Sequence, residues 1–306
     1  MVSITLADSA ALCQNDLIAG VIESVITVNQ MYELLPVEGI EGNALAYNRE
    51  NTIGDTQVAA VGDTITAKNG ANFTQVTTQL TTIIGDAEVN GLIQATRSGV
   101  TDQTTVQIAS KAKSAGRQFQ NMMVNGTGAS NQFSGMVTLV DTGRTIASTG
   151  ANGDALSYAT MDAVVDLVTD KDGQVDYMMF NSRTVRSYKA LLRGLGGNSV
   201  DDMYELPSGK SVNAYSGMPI FRNDWTPINQ TRGTTITAST IFAGTFDDGS
   251  RKHGITALTA ADAAGMMVEY VGVHQTRDET IHRVKWYVAM ALFSLNGLAC
   301  ATGITN

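Results

Sequence analysis

One long strand-like stretch, Phe73 to Ile84, most constrains what this chain can fold into. Apolar residues and threonine alternate along it on one parity, while phenylalanine, glutamine and threonine fill the other, so both faces can make contacts. The sequence predicts a β ribbon over Asn43 to Val89, with the partner strand in NALAYNREN and Gly-Asp turns at Gly54 and Gly62. A two-stranded ribbon cannot bury itself in water, so we expect it to lie on a neighbour.

The composition limits the kinds of surface the protein can present. The 306 residues carry a net charge of -9, only 16% are charged, and the sequence pI is about 4.8. This balance argues against a main surface that binds nucleic acid, because phosphate contacts need clustered Lys and Arg. Abundant threonine with few charges and little proline predicts a β-rich body with large contact surfaces.

The two ends of the chain carry no evident targeting segment. The N-terminus lacks a basic region, and the two cysteines, Cys13 and Cys300, are too few for a disulfide framework, which favours a reducing compartment. No residue after Lys285 is charged, but Asn296 and Gly297 interrupt the apolar run, so it is interpreted as a buried strand that extends into a terminal segment. No membrane association is expected.

Helical periodicity is strongest between Asp102 and Asn125. Apolar residues recur there at four-three spacing, Asp102 is a suitable N-cap, and Asn125-Gly126 can end the helix. No acidic residue occurs from Gln103 to Val140, so one face of this helix is mildly basic. Its cations are Lys111, Lys113 and Arg117.

Other segments predict a compact α/β domain followed by a hairpin. An amphipathic helix is predicted over Ala10 to Val28, and Ala238 to Ala261 is interpreted as turn-rich. Strand-helix alternation in the part of the chain between these two segments predicts the α/β domain. Its parts are the helix in SYATMDAVVDLVTDKDG, the strand VDYMMF and the helix in NSRTVRSYKALLRGLGG; the hairpin joins GMMVEYVGVH to IHRVKWYVAMALF through QTRDET.

The glycine-rich loop NGTGASNQFSGM, Asn125 to Met136, invites comparison with a phosphate-binding loop. Its glycines follow a helix instead of preceding one, and no lysine occurs between Lys113 and Lys171, so neither the P-loop nor the Rossmann spacing is met. We interpret the loop as a helix stop and a joint. Its hinge residues are Gly126, Gly128 and Gly135.

The remaining chemical motifs give no complete site. Asp141 in LVDTGR resembles one half-site of an aspartic protease, but the triplet occurs once, and a turn closing a hairpin is the simpler interpretation. The spacing of His274, Asp278, Glu279 and His282 suits neither a helix face nor a strand face. No catalytic residue, cofactor or metal is therefore expected, and the protein is predicted not to be an enzyme.

Taken in order, the parts of the chain resemble the major capsid protein family of tailed bacteriophages, whose Hong Kong 97-like fold encapsulin shells share. The resemblance implies an α+β fold in four parts: an N-terminal arm (1–42), an extended β-hairpin loop (43–95), a peripheral domain with a long spine helix (96–134 and 266–306), and an axial α/β domain (135–265). The matching stretches are Gly126 to Met136, Tyr177 to Leu195, Tyr215 to Asn223 and Ile241 to Phe246.

This resemblance implies a structural protein that self-assembles into pentamers and hexamers of an icosahedral shell around double-stranded DNA. The shell would belong to a virion assembled in the host cytoplasm. The spine helix would lie towards the inner surface, which implies that Lys111, Lys113 and Arg117 contact packaged DNA. The implied partners are further copies of the chain, a separate scaffolding protein, a portal and a decoration protein.

Some family features and two alternatives stay open. About forty residues precede the ribbon, so a fused scaffolding segment is not expected. Lys68, followed by Asn69, is the candidate for the ribbon crosslink that some relatives form. The alternatives are an encapsulin-type compartment that holds enzyme cargo and, more remotely, a dimeric aspartic protease using Asp141.

Overall fold

The structure, a computed structural model, describes residues 30–97, 102–170, 173–194 and 203–305. The amphipathic stretch Ala10 to Val28 lies outside these residues. Helices and strands are numbered in chain order. The helices are α1 (Gly91–Arg97), α2 (Gln103–Asn125), α3 (Met136–Leu139), α4 (Tyr158–Thr169) and α5 (Ser182–Gly194), with 3-10 turns at Gln30–Glu33, Thr142–Arg144 and Leu295–Gly297.

The described strands follow the same numbering, and with the helices they form the α+β architecture that was predicted. They are β1 (Val37–Ile40), β2 (Ala44–Thr52), β3 (Asn72–Gln79), β4 (Thr81–Asn90), β5 (Thr145–Ala147), β6 (Tyr177–Phe180), β7 (Met203–Glu205), β8 (Ser211–Tyr215), β9 (Met218–Arg222), β10 (Gln230–Arg232), β11 (Thr235–Gly244), β12 (Ile255–Ala260), β13 (Met266–Val273), β14 (Glu279–Leu292) and β15 (Leu298–Ile304).

A five-stranded sheet is built around β14. β4 pairs antiparallel along one edge of β14, while β13 and β12 pair in succession along the other, and β1 adds parallel to β12. The predicted hairpin of β13 and β14 is confirmed. Residues of the expected arm, from Val37 to Ile40, are thus part of a sheet.

The ribbon is shorter than predicted. β2 pairs antiparallel with β3, which confirms the predicted partner strand, but the pairing ends at Gln79. The chain then enters β4, whose ten residues all pair with β14. The alternation that predicted one ribbon strand up to Val89 therefore belongs to two strands in different sheets. β-strand periodicity does not specify which strand is the partner.

An eight-stranded sheet runs in the order β5-β15-β11-β6-β9-β8-β7, with β10 paired to β11. The turn-rich interpretation of Ala238 to Ala261 is wrong, because most of this segment lies in β11 and β12. The chain end also departs from the predicted continuation of the hairpin strand. A 3-10 turn at Leu295–Gly297 separates β14 from β15, which inserts between β5 and β11.

Two apolar cores hold these layers together. The first lies between α2, the five-stranded sheet and one face of the eight-stranded sheet, with Phe119, Met123 and Leu292 fully buried. The second lies under α4 and α5 on the eight-stranded sheet and includes Met161 and Tyr188. Within the described ranges, no helix is long and apolar enough to cross a membrane.

The long helix α2 confirms its prediction nearly residue for residue. Asp102 is the N-cap, and its carboxylate accepts a hydrogen bond from Thr104 N at 3.0 Å. Ala112, Ala115 and Phe119 of the apolar seam are buried. The helix ends where Gly126 N donates to Met122 O at 2.8 Å.

Candidate assembly surfaces and the basic helix face

The ribbon of β2 and β3 is tied to the body at its base by two side chains of β2. Tyr47 Oη donates to Leu292 O at 2.8 Å, and its ring meets Phe293 edge-on at a centroid distance of 5.1 Å. Arg49 Nε donates to Phe293 O at 3.0 Å, and Nη2 donates to Leu292 O at 2.5 Å. These carbonyls lie where the pairing of β14 ends, so the ribbon supplies their hydrogen-bond donors.

The tip of the ribbon, residues 53–71, has no regular secondary structure but is ordered by its own side chains. The Gln57 carboxamide oxygen accepts from Thr66 N at 2.6 Å and from Ala67 N at 2.9 Å. Asp55 accepts from both the backbone and the side-chain amide of Asn69, at 2.7 and 2.9 Å. The tip is therefore a loop held in place by its own hydrogen bonds.

Apolar side chains cover this tip and are open to solvent. Val58 and Val61 are fully exposed, at 105% and 108% of their reference areas. An exposed apolar cluster on an extended loop indicates a contact surface for another molecule. Ile53, Ile65 and Phe73 are also exposed. Lys68, the candidate crosslinking residue, lies exposed on the same tip beside Asn69.

A second apolar surface lies on β13, an edge strand of the five-stranded sheet. Val268, Tyr270, Val271 and Val273 are exposed there. The pairing of β13 with β14 is interrupted between Tyr270 and Gly272, so Val271 lies in a bulge. An exposed apolar edge strand is a site where other chains can pair or pack.

The predicted joint after α2 forms a closed turn of backbone hydrogen bonds. Gly135 N donates to Gly126 O at 2.8 Å, and Thr138 Oγ1 donates to the same oxygen at 2.7 Å. A Cβ on Gly126 would lie 2.2 Å from Phe133 O, whereas Gly128 has a φ of +70°. Close approach and a left-handed backbone therefore require these glycines, and their role in bending remains a prediction.

The three predicted DNA-facing cations of α2 lie on two sides of the helix. The aliphatic part of Lys111 lies over β4, 3.6 Å from where a Cβ on Gly85 would be, and its charge acts on Asp86. Lys113 and Arg117 instead line an open cleft of about 360 Å³ with Trp225. All three cations are exposed. Trp225 was not predicted as part of this face, because it lies about a hundred residues away in sequence.

Asp141, the residue of the protease alternative, has a structural environment that differs from the predicted hairpin turn. It caps the 3-10 turn Thr142–Arg144 by accepting from Gly143 N at 3.0 Å. The next strand, β5, pairs parallel with β15, so no hairpin closes here. Asp141 is exposed to solvent. Its contacts are those of a cap and not of a paired catalytic carboxylate.

The four residues considered as metal ligands lie around the turn between β13 and β14. His274 N donates to Glu279 O at 2.8 Å, and the Glu279 carboxylate lies 3.7 Å from Arg277. The His282 ring packs on Tyr270 at 5.2 Å. Among the residues that the structure describes, no three His, Cys, Asp or Glu side chains converge in a way that could hold a metal.

A cluster of acidic side chains lies beside β1 and β12. Asp247 is only 6% exposed, and its Oδ1 has no hydrogen-bond partner among the described residues. Burial raises the pKa of Asp247, and the charges of Asp248 and Glu38 add to this effect. Arg251 Nε donates to Glu38 Oε1 at 2.6 Å, so the Arg251 guanidinium forms its ion pair with Glu38.

Solved shell structures share this fold over most of the chain. The holo-SrpI encapsulin of Synechococcus elongatus is similar with a TM-score of 0.72 at 13% identity, covering 100% of this chain and 97% of that one. The capsid of cyanophage A-1(L) has a TM-score of 0.67 at 13% identity, with coverage of 90% and 93%. The capsid of the empty GTA particle has a TM-score of 0.62 at 16% identity, with coverage of 99% and 99%.

The fold, with its ribbon and long helix, is that of a capsid shell protein. The model of the phage capsid family matches residues 10–220, more than half of the sequence, and the chain belongs to this family. The predicted Hong Kong 97-like fold and the predicted family are thereby confirmed. No curated protein sequence matches the chain.

Proposed function

We propose that this protein is the major capsid protein of a tailed bacteriophage, forming pentamers and hexamers of an icosahedral shell that encloses double-stranded DNA. The observation that carries the proposal is the ribbon. It is anchored to the body through Arg49 and ends in a loop whose Val58 and Val61 are fully exposed. The described part of the chain leaves this loop uncovered, whereas a neighbouring copy in a closed shell would cover it.

In the proposed assembly the N-terminal arm, the ribbon, the peripheral domain and the axial domain each have a separate role. The axial domain, built on the eight-stranded sheet, forms the centre of each ring. The ribbon and the N-terminal arm clasp neighbouring subunits, and many repeated contacts add up to a stable shell. We assign β1, β4 and β12 to the peripheral domain, because they pair into the five-stranded sheet of β14. We assign β15 to the axial domain, because it pairs with β11 in the eight-stranded sheet.

Bending at the joint after α2 would let one sequence adopt the different curvatures of pentamers and hexamers. The backbone hydrogen bonds around Gly126 and Gly135 make this a stiff joint, so we expect small rotations of the axial domain and not a free hinge. Gly128, whose φ is +70°, lies on the exposed side of the turn and gives the backbone its local freedom.

The proposed partners follow from a shell that is filled with DNA. Lys111, Lys113 and Arg117 contact the packaged DNA non-specifically, within an otherwise acidic subunit. A separate scaffolding protein, a portal and a decoration protein complete the virion, which assembles in the host cytoplasm. A covalent bond from Lys68 to a neighbouring chain would appear as a ladder of bands on a denaturing gel of mature particles, whereas a single band excludes it.

Negative-stain electron microscopy of particles from the native source, with a nuclease-protection assay on the same fraction, tests this function. Uniform icosahedral shells that contain protected DNA are the expected result. Shells that hold protein cargo and no DNA would establish the encapsulin-type alternative. A discrete dimer that cleaves peptides at acidic pH, and loses this activity in Asp141→Ala, would overturn both shell functions in favour of the protease.

A further inference from the structure

A stripe of polar side chains runs along one side of α2 and faces Trp225. Its members recur at helical positions i, i+3, i+4, i+7 and i+8, so they lie on one face of the helix. Together with the indole they line the open cleft of about 360 Å³. We call this set the Trp225 cleft; its residues are Ser110, Lys113, Ser114, Arg117, Gln118 and Trp225.

The two cations of the Trp225 cleft are not neutralised within the described part of the chain. No acidic residue occurs on α2, and neither Lys113 nor Arg117 forms an ion pair with a described residue. The nearest acid in sequence to Trp225 is Asp224, which accepts from Ser182 Oγ at 2.5 Å and lies 3.5 Å from Arg222. The cleft therefore presents positive charge on a chain whose net charge is -9.

Trp225 is held beside these cations by its own backbone. Its N–H donates to Asn223 Oδ1 at 3.0 Å, and its carbonyl accepts from Asn125 Nδ2 at 2.9 Å. The indole packs partly against the core and partly lines the cleft, so it is positioned before any ligand arrives. A fixed aromatic ring next to two free cations suits a ligand that combines negative charge with a flat apolar face.

We propose that the Trp225 cleft is a contact site for single-stranded nucleic acid. Lys113 and Arg117 bind phosphates of the strand, and an unpaired base stacks on Trp225. A single strand fits better than a duplex because a base can stack on a side chain only when its face is free. The proposal rests on the proposed function, since it takes two of the cations assigned there to phosphates of the packaged DNA and adds a base contact that only an unpaired stretch of nucleic acid can make. Lys111 lies on the other side of α2 and takes no part.

The direct test uses unassembled full-length protein and a fluorescently labelled oligothymidylate, with binding followed by anisotropy across a salt series. The double variant Lys113→Ala, Arg117→Ala should lower the magnitude of the slope of log K against log salt by about 1.4, since each phosphate contact contributes roughly 0.7 for a single strand. Lys210→Ala removes one exposed charge from the turn between β7 and β8 and should leave the slope unchanged. A slope that the double variant leaves unchanged, or that Lys210→Ala lowers equally, would overturn the site.

Tryptophan fluorescence tests the stacking. The chain has two tryptophans, and Trp286→Phe leaves Trp225 as the sole emitter. Oligothymidylate should quench this emission, and the duplex of the same length should not. Trp225→Ala should weaken binding about tenfold, and Trp225→Phe should retain most of it. Should Trp225→Ala fail to fold, the quenching experiment decides, and an unquenched Trp225 with the strand bound overturns the proposal.

The same variants separate this site from the proposed function. DNA-filled shells formed by a protein whose Trp225 cleft binds no oligothymidylate would overturn the site and leave the capsid function intact. Binding at the cleft by a protein whose shells contain no DNA would support the site and overturn the proposed function.

Discussion

Arg49 on the ribbon and Phe293 at the end of the longest strand are joined by a hydrogen bond of 3.0 Å from Nε to the backbone carbonyl. A second guanidinium nitrogen donates to the preceding carbonyl, that of Leu292, at 2.5 Å. The forked guanidinium fixes both the distance and the angle between ribbon and body. The direction in which the ribbon leaves the body is thus set within one chain, so less conformational entropy is lost when the subunits assemble.

We expect Arg49→Ala to weaken this anchorage. Charge-assisted hydrogen bonds to two carbonyls are lost, so the free energy of unfolding should fall by about 2 kcal/mol, measured by urea denaturation. Shell formation, followed by light scattering, should slow more than stability alone explains. Arg49→Lys keeps the charge but not the forked geometry, so its stability and its rate of shell formation should lie between those of the wild type and Arg49→Ala. An alanine variant that assembles at the wild-type rate would show that the ribbon angle is set elsewhere.

The exposed valines of the ribbon tip should matter for assembly and not for folding. Replacing both Val58 and Val61 by serine removes apolar surface that is fully exposed among the described residues, so the free energy of unfolding should stay within about 0.5 kcal/mol. Shell assembly should be strongly reduced because the neighbour loses an apolar contact. Leu92→Ser, an exposed apolar residue away from the ribbon, is the matched control. Size-exclusion chromatography of assembly mixtures compares the variants.

The parts of the fold that were predicted correctly are those whose signals are local. The helix α2 was located by the apolar spacing that buries Phe119 and by the Asp102 cap, both visible within a few turns of sequence. The hairpin of β13 and β14 was predicted because strand alternation resumes directly after a turn. The phage capsid fold itself was predicted from the order of such elements, not from any single one.

The errors concern partners that are distant in sequence. Alternation predicted the strand β4 but could not show that it pairs with β14 almost two hundred residues later. β11 was missed because buried central strands lack alternation, and Thr235–Gly244 shows a mostly buried run instead. The residues predicted for the basic face of α2 did not include Trp225 for the same reason, since Trp225 reaches the cleft only through the tertiary fold. The conformation of loops such as the ribbon tip depends on side-chain hydrogen bonds, which the periodicity of a sequence does not reveal.

Replacement of the joint glycines should separate steric from conformational requirements. Gly126→Ala places a Cβ 2.2 Å from a backbone oxygen and should lower the free energy of unfolding by about 3 kcal/mol or more. Gly128→Ala meets the Ser134 hydroxyl and a positive φ, so it should cost about 1 kcal/mol. Gly70→Ala, where a Cβ meets nothing within 4 Å, is the control. Thermal unfolding measures all three, and equal losses at Gly126 and Gly70 would contradict the tight turn.

Two carboxylates of the protein, those of Asp247 and Asp86, have pKa values shifted in opposite directions. Burial raises the pKa of Asp247, so the native state holds its proton more tightly than the unfolded chain does. The resulting stability is present at low pH and is lost as pH rises through the native pKa. Asp247→Asn, which cannot ionise, should therefore be more stable than the wild type at pH 7, by about 1 kcal/mol. The difference should vanish as pH falls below about 4, the range of an unperturbed aspartate.

Asp86 supplies the control of opposite sign. Hydrogen bonds from Arg283, at 2.7 and 2.8 Å, lower the pKa of Asp86, so its contribution to stability is present at neutral pH and is lost as pH falls through the native pKa. Asp86→Asn should accordingly be less stable than the wild type at pH 7 and approach it in acid. Urea denaturation of the three proteins from pH 3 to pH 7 gives the two differences. If Asp247→Asn is also less stable than the wild type at pH 7, the buried environment assigned to Asp247 is wrong.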